Sequence, residues 1–419
     1  MSKQKLAIIG TGIAGMGCAH YLQNDFDITV FEKADRIGGH TNTVYVEEEG
    51  ILIPIDTGFI VFNNENYPHL LKLFDELKVP IKKTQMSFSA MIPNENLEYC
   101  GSSLNLIFAQ RKNIFSPRYI RFLLQLTRFN KECVEVLNNI DLQNLSIADY
   151  CKLRNFDNTL LDWYLLPMSS ALWSTPPETT SAFPAATLVR FFKNHGFLGL
   201  NTQFQWYTVD GGSEEYKKRL IAPFKEKILV NSQVKKIDRF EGGVEVITMN
   251  GESTKFDKVI IATHADEARL ILEESMIAER AVLNPFHYEK NRAILHTDES
   301  VMPKTRRAWS SWNYCTEKKD GKLFSACTYW MNSLQQVSQK KNYFVTINES
   351  KTIDKTKIIK EIIYEHPIFT VEAMQMQKHL PELNNNGQIF FCGSYFRFGF
   401  HEDALMSAVD VCNRIKNKA

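Results

Sequence analysis

The first thirty residues alternate between short apolar runs and polar turns in a way that predicts a β-α-β unit. Lys5–Ile9 is a compact apolar run, Ile13–Gln23 carries apolar residues at helical spacing, and Asp27–Phe31 is a second apolar run. A glycine-rich turn separates the first run from the helix. This order is typical of the nucleotide-binding half of a doubly wound sheet.

The next part of the chain changes from strand patterns to helical ones. Thr43–Val46 and Ile51–Ile55 flank a turn at Glu47–Gly50 and predict a hairpin. Further along, the patterns predict an amphipathic helix, a strand, long apolar helices and two later helices, in the order Tyr67–Leu77, Lys83–Met91, Leu104–Lys131, Asn158–Leu166 and Ala186–Asn194. A Pro176-Pro177 turn interrupts the helical region.

Strand patterns return in the second half. They predict strands at Val234–Ile237, Val244–Thr248 and Lys258–Ala262, a mixed segment at Asn284–Ile347, a strand at Gln388–Cys392 and a final helix at Glu402–Lys416. We therefore expect an α/β chain of two interleaved domains. A discontinuous nucleotide-binding domain is expected from residues 1–65, 210–270 and 385–419. A substrate domain of mixed sheet plus helices is expected from residues 66–209 and 271–384, with a helical insertion near 104–195.

Composition narrows the class of protein. The 49 Lys and Arg residues nearly balance the 48 Asp and Glu residues, so we expect no nucleic-acid partner. Aromatic residues make up 12% of the chain, which predicts bulky apolar walls in the core or around an apolar ligand. The eight cysteines form no C-x-x-C pair, so we expect reduced thiols and no metal site. The N-terminus lacks a signal-peptide pattern and no apolar run is long enough to span a bilayer, so we expect a cytoplasmic protein.

The glycine-rich turn is the first motif that carries chemistry. In Gly10-Thr11-Gly12-Ile13-Ala14-Gly15, the first glycine allows a tight bend, the second lets the backbone approach a pyrophosphate, and the third lets helix pack on strand. Glu32 ends the second strand, where a carboxylate can accept hydrogen bonds from a ribose. A turn that merely packs is the alternative, and the carboxylate leaves both NAD and FAD open.

The residues after Glu32 carry a resemblance to a known family. The stretch Glu32-Lys33-Ala34-Asp35-Arg36-Ile37-Gly38-Gly39-His40-Thr41 resembles the extended FAD signature of the flavin-containing amine oxidase and phytoene desaturase superfamily. The resemblance implies FAD as cofactor, held by a Rossmann-like domain of the amine oxidase/glutathione reductase type. It places Arg36 and Gly39 beside the pyrophosphate, with His40 where many members carry Arg.

Three further stretches resemble a narrower subfamily. They are residues 56–63 (DTGFIVFN), 205–212 (QWYTVDGG) and 393–404 (GSYFRFGFHEDA). They look like bacterial FAD-dependent oxidoreductases that are similar to the N-terminal domain of plant cyclopropane fatty acid synthases. That resemblance implies a hydrophobic fatty acyl or lipid substrate, dehydrogenation (desaturation) by hydride transfer to flavin N5, and a fatty-acid methyltransferase as functional partner.

The resemblance also implies the cofactor contacts. We expect them from Gly10, Gly12, Ile13, Ala14, Gly15, Glu32, Lys33, Arg36, Gly38, Gly39, His40, Thr41, Thr57, Gly58, Val234, Gly393, Ser394, Phe400, His401, Glu402 and Ala404. Ser394 stands where the superfamily often has an acid. Val234 has a second interpretation as an ordinary core valine.

Substrate oxidation also needs a proton acceptor, and His296 and Tyr395 are the predicted catalytic residues, beside His401 and Glu402. For each lone histidine a structural role is the alternative. No lysine aligns convincingly with the one that amine oxidases place beside flavin. Oxidation of a small amine or polyamine therefore stands second, and a non-catalytic module that binds a lipid or prenyl group stands third.

Two patterns concern partners. Leu104–Lys131 contains six cations and no acid, which is typical either of a solvated helical face or of contact with the inner face of an anionic membrane. Only one dinucleotide motif is present, so we expect oxygen or another carrier, not NAD(P)H, as the partner that reoxidises flavin.

Overall fold

The computed structural model describes residues 3–173, 180–199, 204–320, 322–385 and 387–417. The Pro176-Pro177 turn lies outside these residues. The strands β1–β20 are, in chain order, Lys5–Ile9, Asp27–Phe31, Thr43–Glu48, Ile51–Asp56, Phe62–Asn63, Ile81–Thr84, Phe88–Ile92, Leu97–Cys100, Trp206–Val209, Ile228–Leu229, Val234–Phe240, Gly243–Thr248, Ser253–Phe256, Lys258–Ile261, His287–His296, Trp312–Lys319, Lys322–Trp330, Phe344–Ile347, Ile358–Ile368 and Ile389–Phe391.

 The helices α1–α14 are, in chain order, Ile13–Leu22, Pro68–Glu76, Leu104–Ile107, Pro117–Glu132, Ile147–Leu153, Asn158–Leu160, Leu166–Trp173, Ala185–Asn194, Glu214–Ile221, Ala265–Ile271, Ile277–Leu283, Met331–Leu334, Val371–Met376 and His401–Asn417.

A five-stranded parallel sheet lies at the centre of the fold, in the order β10-β2-β1-β14-β20. Its middle strand β1 is buried on both faces. The helices α1 and α14 cover one of these faces. β11–β13 form a three-stranded antiparallel sheet that packs on the other side. The predicted β-α-β unit is confirmed, since apolar runs buried on both faces are typical of parallel strands.

A seven-stranded mixed sheet forms the second large layer, in the order β19-β15-β18-β17-β16-β7-β8. The prediction of a single strand at Lys83–Met91 is wrong. Ile81–Thr84 pairs with β9 in a small separate sheet, whereas Phe88–Ile92 joins the large one beside β16. β19, the longest strand of this sheet, lies outside every segment for which the sequence predicted strands.

Helices cover one side of this large sheet and enclose a second apolar core rich in aromatic rings. The predicted long helices at Leu104–Lys131 are instead a four-residue helix, a 3-10 turn at Arg111–Phe115 and the 16-residue helix α4. Pro117 begins α4, since its ring cannot continue a preceding helix but suits the first turn. Among the described residues, no helix is both long and apolar enough to cross a membrane.

Candidate cofactor and substrate site

Four parallel strands end at one edge of the central sheet, and the loops that follow them meet there. Ile9 pairs with Phe31 on one side and with Ile261 on the other, and Ile261 pairs with Phe391. The carboxyl edge of such a sheet is where open α/β folds bind ligands. The predicted residues after Ile9, after Phe31 and after Phe391 are therefore brought together.

The glycine turn leads directly into α1 and leaves its first amides available. Gly12 is the N-cap residue, and no side chain caps the helix there. A Cβ built on Gly12 would meet no atom within 4 Å, whereas one on Gly15 would lie 1.9 Å from the Gly10 carbonyl oxygen. Open space in front of an uncapped helix N-terminus fits a phosphate group.

Glu32 lies against the same turn. Its carboxylate is buried and accepts hydrogen bonds from the Thr11 amide at 3.0 Å, from the Thr11 hydroxyl and from the Ala34 amide at 2.9 Å. The Gly38 amide in turn donates to the Thr11 hydroxyl at 3.1 Å. These bonds hold the loop of residues 32–39 beside the glycine turn, where a carboxylate can accept from a ribose diol.

The side chains of Lys33 and Arg36 are turned to protein partners. Lys33 is paired with Glu267, and the Arg36 guanidinium donates to the Gly39 carbonyl oxygen at 2.8 Å. Glu267, His264 and Glu365 have ligand atoms within 4.8 Å of one another. The Lys33 ammonium neutralises one of the two carboxylates of this group.

His40 and Thr41 connect this loop to the residues after β4. The Phe59 amide donates to the His40 carbonyl oxygen at 2.8 Å, which seats Thr57 and Gly58 beside it. Tyr364 of β19 completes the contact, because its hydroxyl bonds Thr57 Oγ1 at 2.8 Å and its ring stacks on His40 at 4.9 Å. The large sheet therefore reaches the predicted cofactor loops.

Val234 lies close to this region in sequence and in space. The Ser232 amide donates to the Glu32 carbonyl oxygen at 2.8 Å, two residues before Val234. The Val234 side chain is buried and packs with Phe31 and Val259 in the core. The Val234 backbone thus lies beside the Glu32 loop, while its side chain packs as an ordinary core valine.

The C-terminal motif forms the other wall of the edge. Gly393 lies at the start of a 3-10 turn over Ser394–Phe396, and α14 begins at His401. Asp403 accepts from the amides of Phe398 and Phe400 at 3.2 and 3.0 Å and so shapes the preceding loop. Ala404 is buried behind it.

Glu402 has a structural role that the sequence did not reveal. Its carboxylate accepts from the His69 and Leu70 amides, both at 2.9 Å, and contacts His69 Nδ1 at 2.7 Å. It therefore caps the N-terminus of α2. With both oxygens engaged in this way, Glu402 positions α14 against α2 and is not free to accept a substrate proton.

Imidazole rings converge on His40. His366 of β19 lies 5.3 Å from it between ring centroids, and His401, stacked on Phe59 at 4.0 Å, and His264 are near enough to lower its pKa further. Burial is the main cause of the low pKa of His40, and it also lowers the pKa of His366 to about 4. The His40 and His366 rings are therefore neutral at pH 7. His264 and His366 were not predicted from the sequence, because neither lies in a recognised motif.

A chain of amides orients His366. The Arg292 amide donates to Asn348 Oδ1 at 3.2 Å, and Asn348 Nδ2 donates to Asn291 Oδ1 at 2.7 Å. Asn291 Nδ2 then faces His366 Nδ1 at 3.0 Å and can only donate to it. The neutral ring consequently carries its proton on Nε2, so His366 is a hydrogen-bond donor at that atom.

The two predicted catalytic residues have buried side chains. His296 is fully buried at the far end of β15, where Nε2 bonds Thr346 Oγ1 at 2.7 Å and Nδ1 accepts from the Asp298 amide at 3.1 Å. Tyr395 is buried in the core against Phe286 at 5.6 Å. Packing between distant strands turns both side chains inward, and their assignment as catalytic residues stays a prediction.

The fold and the site together define an FAD-binding protein: the uncapped α1, the open space at Gly12 and the Glu32 carboxylate suit a dinucleotide. The model of the family described as "Flavin containing amine oxidoreductase" matches residues 13–333, and the chain belongs to that family.

Individual relatives are distant. A "Putative flavin-containing monoamine oxidase AofH" of Mycobacterium tuberculosis is 22% identical over 262 residues, which cover 59% of this chain and 54% of that protein. The chain thus spans about half the length of the curated relatives it matches.

Solved structures resemble the whole chain. A fatty acid isomerase from P. acnes that produces CLA has a TM-score of 0.68 at 14% identity, with 98% of each chain covered. Putrescine oxidase bound to putrescine has a TM-score of 0.70 at 13% identity, with 99% of each chain covered. At such identities the likeness establishes the fold.

Proposed function

We propose that this oxidoreductase dehydrogenates a C–C bond in a hydrophobic fatty acyl or lipid substrate. The observation that carries the proposal is an aromatic wall joined to the C-terminal cofactor loop. The wall consists of Trp173, Phe183, Phe191, His195 and Phe400.

The wall is continuous with the loop that precedes α14. Phe400 stacks on Phe191 at 5.1 Å, and the Trp173 indole donates to the Phe398 carbonyl oxygen at 3.1 Å. The wall therefore begins where the predicted cofactor contacts end. Rings and a neutral imidazole present apolar surface, which suits an acyl chain.

The wall offers no negative charge to an ammonium group. Asp403, the carboxylate of the same loop, is held by two backbone amides, and burial raises its pKa to about 6. His195 is neutral at pH 7, because burial lowers its pKa to about 4. Among the described residues of the wall and the loop beside it, no carboxylate is free, and such surroundings favour an uncharged substrate over a cationic one.

When bound, FAD supplies the two-electron oxidation by accepting a hydride from one carbon of the substrate. The protein's part is to bind and orient the chain, with His366 Nε2 available as a hydrogen-bond donor beside His40. The proton from the neighbouring carbon leaves to water or a base, and the electrons pass on to oxygen or another carrier. A fatty-acid methyltransferase is a functional partner consistent with such a substrate.

Amine oxidation is the second candidate. It is favoured by the family to which the chain belongs and by the same rings, because stacked aromatics also attract cations. A purely lipid-binding module is a third candidate, and it has no physical need for the open glycine turn at α1.

Anaerobic titration of the flavin-loaded protein separates these candidates. Acyl phospholipids or acyl thioesters should bleach the visible flavin band, mono- and polyamines should not, and mass spectrometry should find a new double bond. Phe191→Ala should weaken the response to acyl substrates by at least about tenfold, while Phe240→Ala on the exposed edge of β11 should leave it unchanged. Bleaching by amines alone would overturn the acyl proposal, and protein purified without flavin would favour the binding module.

A further inference from the structure

The outer face of α4 exposes apolar side chains to solvent. The outer face of α4 consists of Phe115, Ile120 and Leu124, which are 87%, 38% and 66% exposed. Ile120 and Leu124 are one helical turn apart, and Phe115 lies just before the helix. Tyr119, Phe122 and Phe129 of the same helix are buried on the opposite side. Both faces of α4 are therefore rich in apolar groups, although only the inner one is covered by protein.

Other exposed apolar groups lie close to this face in the chain. Leu104 is 65% and Ile114 is 45% exposed. Single exposed apolar residues are ordinary on a protein surface, but a contiguous group marks a surface that another body covers.

The charged residues within 104–131 have one sign. Residues 104–131 contain six cations and no acid. Arg118, Arg121 and Arg128 are paired with Glu95, Asp157 and Glu132 respectively, all from outside that range. Acids thus neutralise three of the six cations, so the segment is not uniformly basic.

Three of the cations remain without an acidic partner. Within the described parts of the chain, no ion pair involves Arg111, Lys112 or Lys131, and all three are exposed. They lie at both ends of the apolar stripe. A stripe of apolar groups bordered by unpaired cations matches an interface that offers acyl chains and phosphates together.

We propose that the outer face of α4 docks on a lipid bilayer with anionic headgroups. Phe115, Ile120 and Leu124 enter the headgroup boundary, while the three unpaired cations contact lipid phosphates. A bilayer is favoured over a protein partner because the charge at this surface is complementary to phosphates on a plane.

The inner face of α4 connects this surface to the aromatic wall. Phe122 and Phe129 pack in the same apolar core as Trp173 and Phe191. Docking through α4 would therefore place the wall beside the membrane surface. The docking itself does not depend on the proposed function, since it can be measured without turnover.

Vesicle sedimentation of the flavin-loaded full chain tests the proposal. The two vesicle types are pure phosphatidylcholine and equal parts of phosphatidylcholine and phosphatidylglycerol. The apolar variant combines Phe115→Ser, Ile120→Ser and Leu124→Ser, and the charge variant combines Arg111→Gln, Lys112→Gln and Lys131→Gln. The matched control is Ile51→Ser with Leu52→Ser, which removes equally exposed apolar groups from the β3–β4 hairpin.

We expect the wild type and the control to bind the anionic vesicles more strongly than the neutral ones, and added salt to weaken that binding. The apolar variant should bind at least about tenfold more weakly, and the charge variant should lose the preference for anionic vesicles. Bound flavin and circular dichroism check that each variant folds. The proposal is overturned if the wild type does not bind, if the apolar variant binds as well as the wild type, or if gel filtration shows that the outer face joins two copies of the chain.

Discussion

Gly12 and Gly15 belong to one motif, yet different physical requirements exclude a side chain at each. A Cβ at Gly15 would collide with the Gly10 carbonyl oxygen, so this glycine is needed by the protein itself. At Gly12 the backbone is extended, with φ −62° and ψ 174°, and no protein atom lies near a built Cβ. The open space at Gly12 fits the close approach of a pyrophosphate to the backbone.

Gly12→Ala should therefore fold normally and lose flavin. The methyl group would occupy the space in front of α1, and we expect FAD affinity to fall by at least about tenfold with little change in the stability of the apoprotein. Equilibrium dialysis against FAD and urea unfolding of the apoprotein measure the two effects.

Two other glycines make this experiment interpretable. Gly15→Ala should lower the free energy of unfolding, and Gly101→Ala should change neither property, because its Cβ would lie 3.9 Å from the nearest atom. Flavin retained by Gly12→Ala would contradict the assignment of the turn.

Local sequence does not reveal which histidine of the large sheet faces a site. His296 and His366 both lie in strands of the large sheet, and nothing in their neighbouring residues distinguishes them. His296 bonds Thr346 in the interior, whereas His366 reaches His40 at the carboxyl edge of the central sheet. Which ring faces a site depends on strand pairing and not on local sequence.

At the scale of elements, the ends of helices explain how the two layers are held together. α2 has Tyr67 as its N-cap residue and no capping side chain from its own sequence. Glu402 of α14 supplies the missing acceptor from 332 residues away along the chain. This bond fixes α14, and with it the C-terminal loop, against α2.

Glu402→Ala should cost about 2 kcal/mol of unfolding free energy, because two amides and His69 lose their buried acceptor. Urea unfolding measures the loss. Glu241→Ala, in an exposed turn, should cost less than about 0.5 kcal/mol. An equal effect of the two substitutions would show that Glu402 does not act as the cap.

Strand boundaries were predictable only where local turns mark them. The glycine turns after β1 and β12 place those strands correctly, whereas Gln85-Met86-Ser87 lacks a turn signal. The chain nevertheless passes there from the small sheet to the large one. Partners from distant segments, Trp206–Val209 and Trp312–Lys319, decide that change of sheet.

At the scale of the whole molecule, the buried imidazoles make stability depend on pH. Burial lowers the pKa of His195 and His366 to about 4, that of His401 to about 3, and that of His40 as well. Each ring is neutral in the folded protein and has a pKa near 6.5 once unfolded. The contribution of each neutral ring to the unfolding free energy is complete above pH 6.5 and is lost as the pH falls toward 4.

Two buried carboxyl groups act in the opposite direction. Burial raises the pKa of Asp56 and Asp403 to about 6, so protonation of these groups below pH 6 favours the folded state. Four rings outweigh two carboxyls. We therefore expect the unfolding free energy of the apoprotein to fall between pH 7 and pH 5.

His195→Gln should remove about 2 kcal/mol of that loss, since the variant has no ring to protonate. Urea unfolding at the two pH values measures it. His287→Gln, at an exposed position of β15, is the control and should leave the pH dependence unchanged. Stability that rises on acidification would contradict the neutral state of the buried rings.

The family resemblance of residues 32–41 implied the FAD cofactor. Local patterns were enough to predict the β-α-β unit, the glycine turn, the Glu32 position and the final strand and helix, and hence the fold class. These features depend on residues that are neighbours in the chain, whose hydrophobic spacing and turn chemistry act locally. The tertiary structure alone decided the order of the large sheet, the approach of His366 to His40, the interior position of His296 and Tyr395, and the pairing of half of the basic residues in 104–131. Those contacts join segments far apart in the chain, so their formation depends on packing and strand pairing that no local pattern records.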